Sequence, residues 1–226
     1  LKGLNNLVWL PYSVVSFFSY TLHDSFKFVI INDTVKIEMN YKSRRNNRME
    51  QLKNESSRQY EYMEEMKKWV QKKSEELGRK LTCHVTTFGC QMNEKDSEKL
   101  LGILETIGYE EVETEEADFL IFNTCTVREN ANTKLYGHLG QVKKMKERNP
   151  QMMIGLCGCM MQEEHVIEKI RSSYKFVDII FGTHNIFKLA ELLKARVDSK
   201  GMIVDIWKDT DQIVEDLPSD RKFSFK

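Results

Sequence analysis

Short apolar runs alternate with helical patterns through the middle of this 226-residue chain. The apolar runs have the length of strands and lie at residues 81–88, 118–123, 152–156, 176–181 and 202–207. The helical patterns between them cover Glu94–Ile107, Arg128–Glu147, Met160–Ser173 and Ile186–Arg196. Strands that alternate with helices through short connections are parallel and are joined by right-handed crossovers. The pattern therefore predicts an α/β fold, with a doubly wound, mainly parallel five-stranded sheet, helices on both faces and a preceding helical N-terminal extension.

The segments outside this pattern divide the chain further. Residues 1–48 are predicted to be a poorly ordered extension, because their apolar run at 7–20 is isolated and too short to span a bilayer. The chain starts with Leu1, and Met39 and Met49 are alternative starts. These features predict that residues 1–48 contribute nothing to the fold.

A helical segment is predicted for residues 49–79. Its apolar stripe consists of Tyr62, Met66, Trp69, Val70 and Leu77. Gly78 is a suitable residue to end the helix. The α/β domain follows at 80–197. Residues 198–226 are predicted to form a strand and then a linker towards a missing domain.

Charge and cysteine content restrict the function classes. Lys and Arg total 34 and so do Asp and Glu, so the net charge is zero and gives no general nucleic-acid footprint. The 5 cysteines are an odd number without the spacing of a disulfide framework. We therefore expect reduced thiols in a cytoplasmic protein, a monomer without membrane contact.

Three of the cysteines follow three different predicted strands. Cys90, Cys125 and Cys159 each lie in a short turn before a predicted helix. The carboxyl ends of parallel strands share one edge of the sheet, where ligands bind at the point of strand-order reversal. The sequence therefore predicts that these three thiols converge at that edge.

The residue types indicate the metal. A helix N-terminus favours the thiolate form of cysteine, which is the form that binds metals. Three thiolates without a neighbouring histidine or carboxylate favour an iron–sulfur cluster over structural zinc, which takes four ligands. Three cysteines on a four-iron cluster leave one iron open to another ligand.

The other two cysteines are predicted to be structural. Cys83 lies seven residues before Cys90 along a strand, about 20 Å from the edge at the usual rise of a strand. Cys157 is interpreted as the last residue of its strand, with its side chain pointing inward. Alternatively, it could serve as a spare metal ligand or as a disulfide partner. No histidine has a metal ligand at suitable sequence spacing, and His84 is predicted to be packed.

Three blocks of the sequence carry a family resemblance: "TFGCQMN" at 87–93, "NTCTVRENA" at 123–131 and "GLCGCMMQE" at 155–163. In order and spacing they resemble the N-terminal domain of the radical S-adenosylmethionine methylthiotransferases, over about residues 80–197. With Gln91 and Met92 after its first motif cysteine, the sequence resembles the branch of the family that modifies isopentenylated adenosine in tRNA. The ribosomal-protein branch would show Pro-Lys at these positions, and the threonylcarbamoyl-adenosine branch Lys-Val.

This resemblance implies that Cys90, Cys125 and Cys159 bind an auxiliary [4Fe-4S] cluster whose open iron carries the sulfur to be inserted. It implies a transferase that adds a methylthio group to C2 of N(6)-isopentenyladenosine beside the anticodon of tRNA. The full-length family enzyme uses S-adenosylmethionine as methyl donor and radical source, with a second [4Fe-4S] cluster. The C-x-x-x-C-x-x-C loop of that second cluster does not occur in these 226 residues, so we expect a fragment that is inactive alone.

Three alternatives share the predicted fold. A flavodoxin-like binding or thiol redox module would need a phosphate-binding loop after the first strand, where "GCQMNEKD" offers a thiol and an amide. A dithiol oxidoreductase would use Cys157 and Cys159, whose C-x-C spacing differs from the usual C-x-x-C. A zinc-stabilised scaffold would need Cys157 as its fourth ligand.

Overall fold

The computed structural model describes residues 8–11, 26–31, 34–39, 41–126, 131–199 and 201–206. The chain divides into two compact units, residues 1–53 and 54–226. In the first unit, three antiparallel strands pair in the order β1-β3-β2. Their bounds are Val8–Pro11 (β1), Phe26–Ile31 (β2) and Thr34–Met39 (β3). None of these strands was predicted from the sequence.

Helix α1 (Tyr41–Leu77) begins well before the apolar stripe that predicted it. For residues 42–60 the sequence predicts disorder or a frayed helix start, because they offer little to bury. The stripe is confirmed in part: Met66 and Val70 are buried and Tyr62 and Trp69 pack against the core, whereas Leu77 is 53% exposed. Gly78 follows the helix with φ +67°, a left-handed conformation that glycine adopts without steric cost, so the predicted end is also confirmed.

The second unit contains a six-stranded sheet whose strands are all parallel, in the order β5-β4-β6-β7-β8-β9. The strands are β4 (Thr82–Phe88), β5 (Glu110–Glu111), β6 (Phe119–Thr124), β7 (Met153–Cys157), β8 (Ile179–Phe181) and β9 (Ile203–Asp205). The helices are α2 (Gln91–Thr106), α3 (Ala131–Arg148), α4 (Glu164–Ser173) and α5 (Leu189–Asp198). Short 3₁₀ turns at Cys159–Gln162 and Thr183–Lys188 precede α4 and α5.

The predicted α/β fold with a parallel sheet is confirmed, but the predicted count of five strands is wrong. The additional strand, β5, consists of two glutamates at the edge of the sheet. It has no apolar run because little of it is buried. It forms because Thr82 and Cys83 of β4 present their free edge to Glu110 and Glu111.

Each face of the sheet is covered by its own helices. Phe119, Ile121 and Ile179 point to a first face, where they pack with α1, α2 and α5. Leu120, Phe122 and Ile180 point to the opposite face and pack with α3 and α4. This alternation is what a doubly wound sheet requires, because each strand is buried on both sides. No helix in the described part of the chain is long and apolar enough to cross a membrane.

The strand order reverses beside β4. From β4 the chain passes through α2 to β5 on one side, and then returns to β6 on the other side of β4. Helices α2 and α3 therefore lie on opposite faces and leave a crevice at the carboxyl ends of β4 and β6. In open α/β sheets this switch point is the usual ligand site.

A buried ion-pair network around Asp178 stabilises the other end of the sheet, where strands β7 and β8 begin. Its carboxylate accepts hydrogen bonds from Lys146 Nζ at 2.6 Å, from Arg196 Nη2 at 2.7 Å and from the backbone N–H of Ile154 at 2.8 Å. Asp178 is only 3% exposed. The network ties the last turns of α3 and α5 to the start of β8.

We expect Asp178→Ala to lower the free energy of unfolding by about 3 kcal/mol, because it leaves two half-buried cations and a buried N–H without their shared acceptor. Urea denaturation followed by circular dichroism measures this change. Asp198→Ala is the matched control, since Asp198 is 57% exposed and pairs with Lys194 at the surface. Its expected effect is within about 0.5 kcal/mol. Equal losses in the two variants would contradict the assignment of a structural role to the buried network.

Candidate metal centre

The three cysteines of the predicted site all lie at the carboxyl edge of the sheet. Cys90 is the N-cap residue of α2, directly after β4. Cys125 follows β6, and Cys159 opens the 3₁₀ turn that follows β7. Their predicted position at the strand ends is therefore confirmed. An α-helix begins immediately after Cys90, whereas a 3₁₀ turn separates Cys159 from α4.

The backbone around Thr124 brings the three loops together. The Sγ atom of Cys159 lies 3.7 Å from the Thr124 carbonyl oxygen and 3.1 Å from the backbone N of Thr126. From the other side, the Asn93 Nδ2 group donates to the same Thr124 carbonyl at 3.3 Å. Cys125 stands between these two threonines, and its N–H donates to the Phe88 carbonyl at 3.1 Å. The strand ends therefore meet within hydrogen-bonding distance of one another.

Two buried amides connect the turn after β4 to the end of β6. Asn93 Oδ1 accepts from the backbone N–H of Cys90 at 3.2 Å and lies 3.4 Å from its Sγ. Asn93 Nδ2 donates to Asn123 Oδ1 at 2.9 Å, and Asn123 Nδ2 returns a bond to the Asn93 carbonyl at 2.8 Å. Asn93 is 2% exposed and Asn123 is fully buried. The pair fixes the position of Cys90 relative to Cys125.

A hydroxyl pair extends this connection along α2. Asn123 Nδ2 also donates to Ser97 Oγ at 3.0 Å, and Ser97 Oγ lies 2.7 Å from Thr87 Oγ1. Every polar atom of the connection is thus paired, which is the condition under which buried polar groups stabilise a fold.

Gly158 allows the loop after β7 to approach this cluster of hydrogen bonds. Its φ of +101° lies in the left-handed region. A Cβ atom at this position would lie 2.6 Å from Asn123 Oδ1 and 2.7 Å from Thr124 N, and it would overlap the Thr124 carbonyl oxygen. Only glycine combines this conformation with so close an approach, so Gly158 sets how near Cys159 comes to Cys125.

The remaining two cysteines occupy the positions predicted for them. Cys83 is fully buried near the start of β4, where it pairs in register with Phe119, at the far end of the strand from Cys90. Cys157 is the last residue of β7, with its side chain fully buried in the apolar core of the first face. Burial, with a smaller contribution from Asp96, raises the pKa of the Cys157 thiol well above its ordinary value. Cys157 is therefore poorly suited to bind a metal or to react as a thiolate.

A buried carboxyl group lies beside this site. Asp96, in the second turn of α2, is 6% exposed, and its Oδ2 atom has no hydrogen-bond partner. Burial raises the pKa of Asp96 to about 6, although Lys99 and His184 favour its charged form. The carboxyl group therefore carries a destabilising charge in the folded protein at neutral pH.

Two of the histidines take structural positions. His84 Nδ1 lies 2.6 Å from the Val112 carbonyl, in agreement with the predicted packed role. His138 packs against the rings of Phe88 and Phe122 and pairs with Glu115 at 3.0 Å. Sequence spacing could not reveal that partner, because Glu115 lies in the loop before β6, 23 residues earlier.

The chemistry of the donor set determines which metal group would fit. Within the described ranges, no three or more side chains of His, Cys, Asp and Glu converge on a point where they could hold one metal ion. A [4Fe-4S] cluster binds each cysteine through a different iron atom, so its thiolates need not meet at one point. Three thiols on three loops around one backbone segment suit a cluster better than a single ion.

Sequence reasoning missed the residues that position these thiols, namely Asn93, Asn123, Thr126 and Gly158. Three of them lie in the motifs "TFGCQMN" and "NTCTVRENA", and the G in "CGC" is Gly158. Asparagine three residues after an N-cap is a recognisable capping signal. Its bond to Asn123 needs the tertiary structure.

The fold and these loops define a doubly wound α/β domain that presents three cysteines at its switch point. Residues 82–182 match the model of the family described as "Uncharacterized protein family UPF0004". The chain is also 67% identical over 157 residues to the tRNA-2-methylthio-N(6)-dimethylallyladenosine synthase of Lachnoclostridium phytofermentans, an alignment that covers 70% of this chain and 34% of that protein.

Synthases of the same name from two other organisms are similar to this chain. The protein from Clostridioides difficile is 47% identical over 169 residues, which are 74% of this chain and 35% of that protein. The protein from Acetivibrio thermocellus is 46% identical over 173 residues, 76% of this chain and 36% of that protein. These similarities confirm the resemblance stated from the sequence. The chain spans about a third of the length of these relatives.

We expect Gly158→Ala to lower the free energy of unfolding by about 2 kcal/mol or more. Alanine would have to adopt a left-handed backbone at this position, and its Cβ would overlap the Thr124 carbonyl oxygen. Urea denaturation measures the loss. Gly140→Ala is the control: a Cβ there meets nothing within 4 Å, and Gly140 lies inside α3. Alanine should stabilise that helix by about 0.5–1 kcal/mol. A Gly158→Ala protein as stable as the parent would mean that this loop is not closely packed.

Asp96 should make stability depend on pH. Its folded-state pKa of about 6 lies above the ordinary value of 3.8. Between pH 3.8 and pH 6 the folded protein keeps this proton while the unfolded chain releases it. The free energy of unfolding is therefore highest below pH 3.8 and falls as the pH rises towards 6. At 1.36 kcal/mol per pKa unit the loss is about 3 kcal/mol. Asp96→Asn should lack it, so unfolding free energies of both proteins at pH 4 and pH 8 test the shift. Parallel pH profiles would contradict it.

Proposed function

We propose that this α/β domain holds an auxiliary [4Fe-4S] cluster on Cys90, Cys125 and Cys159. The observation that carries the proposal is the meeting of the three cysteine loops around Thr124, at the switch point of the sheet. The three thiolates would each bind one iron, which leaves the fourth iron open to another ligand. The open iron supplies a place where a sulfur atom can be held before its transfer.

The residues of the chain contribute position and partial shielding to such a cluster. Asn93 and Asn123 hold the Cys90 turn, and Gly158 lets the Cys159 loop approach them. Cys125 is buried, whereas Cys90 and Cys159 are half-exposed. This combination suits a cluster anchored in the protein on one side and open to a reaction partner on the other.

The reaction proposed for the complete enzyme is methylthio transfer to tRNA. The relatives are named tRNA-2-methylthio-N(6)-dimethylallyladenosine synthases, so C2 of an isopentenylated adenosine is the proposed acceptor. S-adenosylmethionine is the proposed methyl donor and radical source. Residues 1–226 do not supply a second set of three closely spaced cysteines, because only Cys83 and Cys157 remain and both are buried in strands. We therefore infer that this chain does not cleave S-adenosylmethionine by itself.

The alternative functions find less support in the geometry. Both a dithiol oxidoreductase and a four-ligand zinc site would need Cys157. That thiol is fully buried in the apolar core, and its raised pKa disfavours the thiolate. A flavodoxin-like site would need a loop of free backbone N–H groups after β4. In this loop the Cys90 N–H already donates a hydrogen bond to Asn93 Oδ1.

Anaerobic purification and reconstitution test the proposal. We expect about four iron and four sulfide atoms per chain, with the broad absorption of an iron–sulfur cluster that oxygen bleaches. Replacement of Cys90, Cys125 or Cys159 by alanine should abolish the bound iron, because each removal leaves a cluster with two protein ligands. Cys83→Ala is the matched control and should retain the iron.

Two results would overturn the proposal. A parent chain that binds no iron under these conditions would remove its basis. Loss of iron in Cys83→Ala as complete as in Cys125→Ala, in a variant that circular dichroism shows to be folded, would contradict the assignment of the three ligands, because Cys83 would then also be needed for the cluster.

A further inference from the structure

The Sγ atom of Cys159 lies near two hydrogen-bond donors and, at 3.7 Å, near one acceptor, the Thr124 carbonyl. The backbone N–H of Thr126 donates to it at 3.1 Å, and the Thr126 hydroxyl lies 3.5 Å away, within range of a second bond. Both donors belong to Thr126, which directly follows Cys125, so the loop that carries Cys125 also supplies the hydrogen bonds to Cys159. Donors directed at sulfur stabilise the thiolate, which accepts hydrogen bonds and has no proton to give.

At Cys90 the neighbouring side chain is an acceptor instead, and the only donor that Asn93 directs at the sulfur is its backbone N–H. Its Sγ–H donates to Asn93 Oδ1 at 3.4 Å. A rotation of the Asn93 amide could turn Nδ2 towards the sulfur, but that group already donates to Asn123 Oδ1 and to the Thr124 carbonyl. In the same rotation the Cys90 N–H would lose its acceptor. The amide is therefore locked with its oxygen towards Cys90 and offers that sulfur no donor.

From this asymmetry we propose that Thr126 is a positioning residue that sets the reduction potential of the cluster through Cys159. The proposal rests on the proposed function, since it requires a cluster on the three cysteines. Reduction adds negative charge to a cluster and its thiolates, and hydrogen bonds to the sulfurs stabilise that charge. The Thr126 hydroxyl therefore raises the potential, whereas the Asn93 side chain donates nothing to Cys90.

The redox step in the test transfers a single electron. In an anaerobic titration, dithionite supplies the electron that converts the cluster from the 2+ to the 1+ state, and an oxidising mediator removes it again. Thr126 neither gains nor loses a proton in this cycle, because its hydroxyl only donates a hydrogen bond to sulfur.

Replacement of Thr126 by valine removes the hydroxyl and keeps the branched Cβ and the backbone N–H. At a fixed solution potential we expect the ratio of reduced to oxidised cluster to fall about three- to tenfold, the range expected for one hydrogen bond. A tenfold change corresponds to a lowering of the midpoint potential by 59 mV for a one-electron couple. Thr126→Ser keeps the donor and should stay close to the parent.

Thr86→Val is the matched control for loss of a threonine hydroxyl elsewhere. Thr86 is half-buried on β4, and its hydroxyl bonds to Glu115 rather than to sulfur. We expect its variant to have the parent potential. The electron paramagnetic resonance spectrum of the reduced cluster gives a second readout, which should change in Thr126→Val and stay unchanged in Thr86→Val.

The outcomes separate this inference from the proposed function. A parent chain without iron would overturn both. A parent chain with a cluster, and a Thr126→Val variant with the same midpoint potential, would overturn only the inference. Equal shifts in the valine and serine variants would also overturn it, because the donor would then be irrelevant. If Thr126→Val binds no cluster, Thr126→Ala repeats the test. Iron loss in both variants with retention in Thr126→Ser supports the inference, whereas loss in all three contradicts it.

Discussion

The pairing of two buried amides is the interaction on which the candidate site depends. Asn93 and Asn123 exchange hydrogen bonds across the gap between α2 and β6, where neither side chain can reach water. Because Asn93 also holds the Cys90 turn and Asn123 lies under Gly158, three loops take their positions from one pair. Loss of either amide would leave a buried partner unsatisfied, which costs more than the bond contributes. The position of the thiols is thus coupled to the stability of the sheet.

Much of the fold could be predicted because burial on both faces produces continuous apolar strands. Strands such as Phe119–Thr124 are buried along their whole length, so they appear in the sequence as unbroken apolar runs. Strand β5 could not be predicted, since an edge strand of two glutamates buries almost nothing. The early start of α1 was missed for the same reason: residues 42–60 carry no apolar stripe.

The candidate site was predictable to the extent that fold topology alone determines it. Cys90, Cys125 and Cys159 could be grouped because parallel strands end at a common edge. The residues that act on the thiols could not be assigned, since their partners lie far away in sequence: Thr126 reaches Cys159 across 33 residues and Asn93 reaches Asn123 across 30. Spacing arguments apply within one element, whereas these bonds join two.

The amide pair differs in kind from the network around Asp178 at the other end of the sheet. Ion pairs weaken when salt screens them or when a partner changes its protonation state. Amide groups carry no net charge and do not titrate, so the contacts of Asn93 and Asn123 keep the same strength across a wide range of acidity and ionic strength. The distances among the cysteine loops are therefore insulated from the ionic composition of the surrounding solution. The thiols can exchange protons at this edge while the framework that spaces them stays the same.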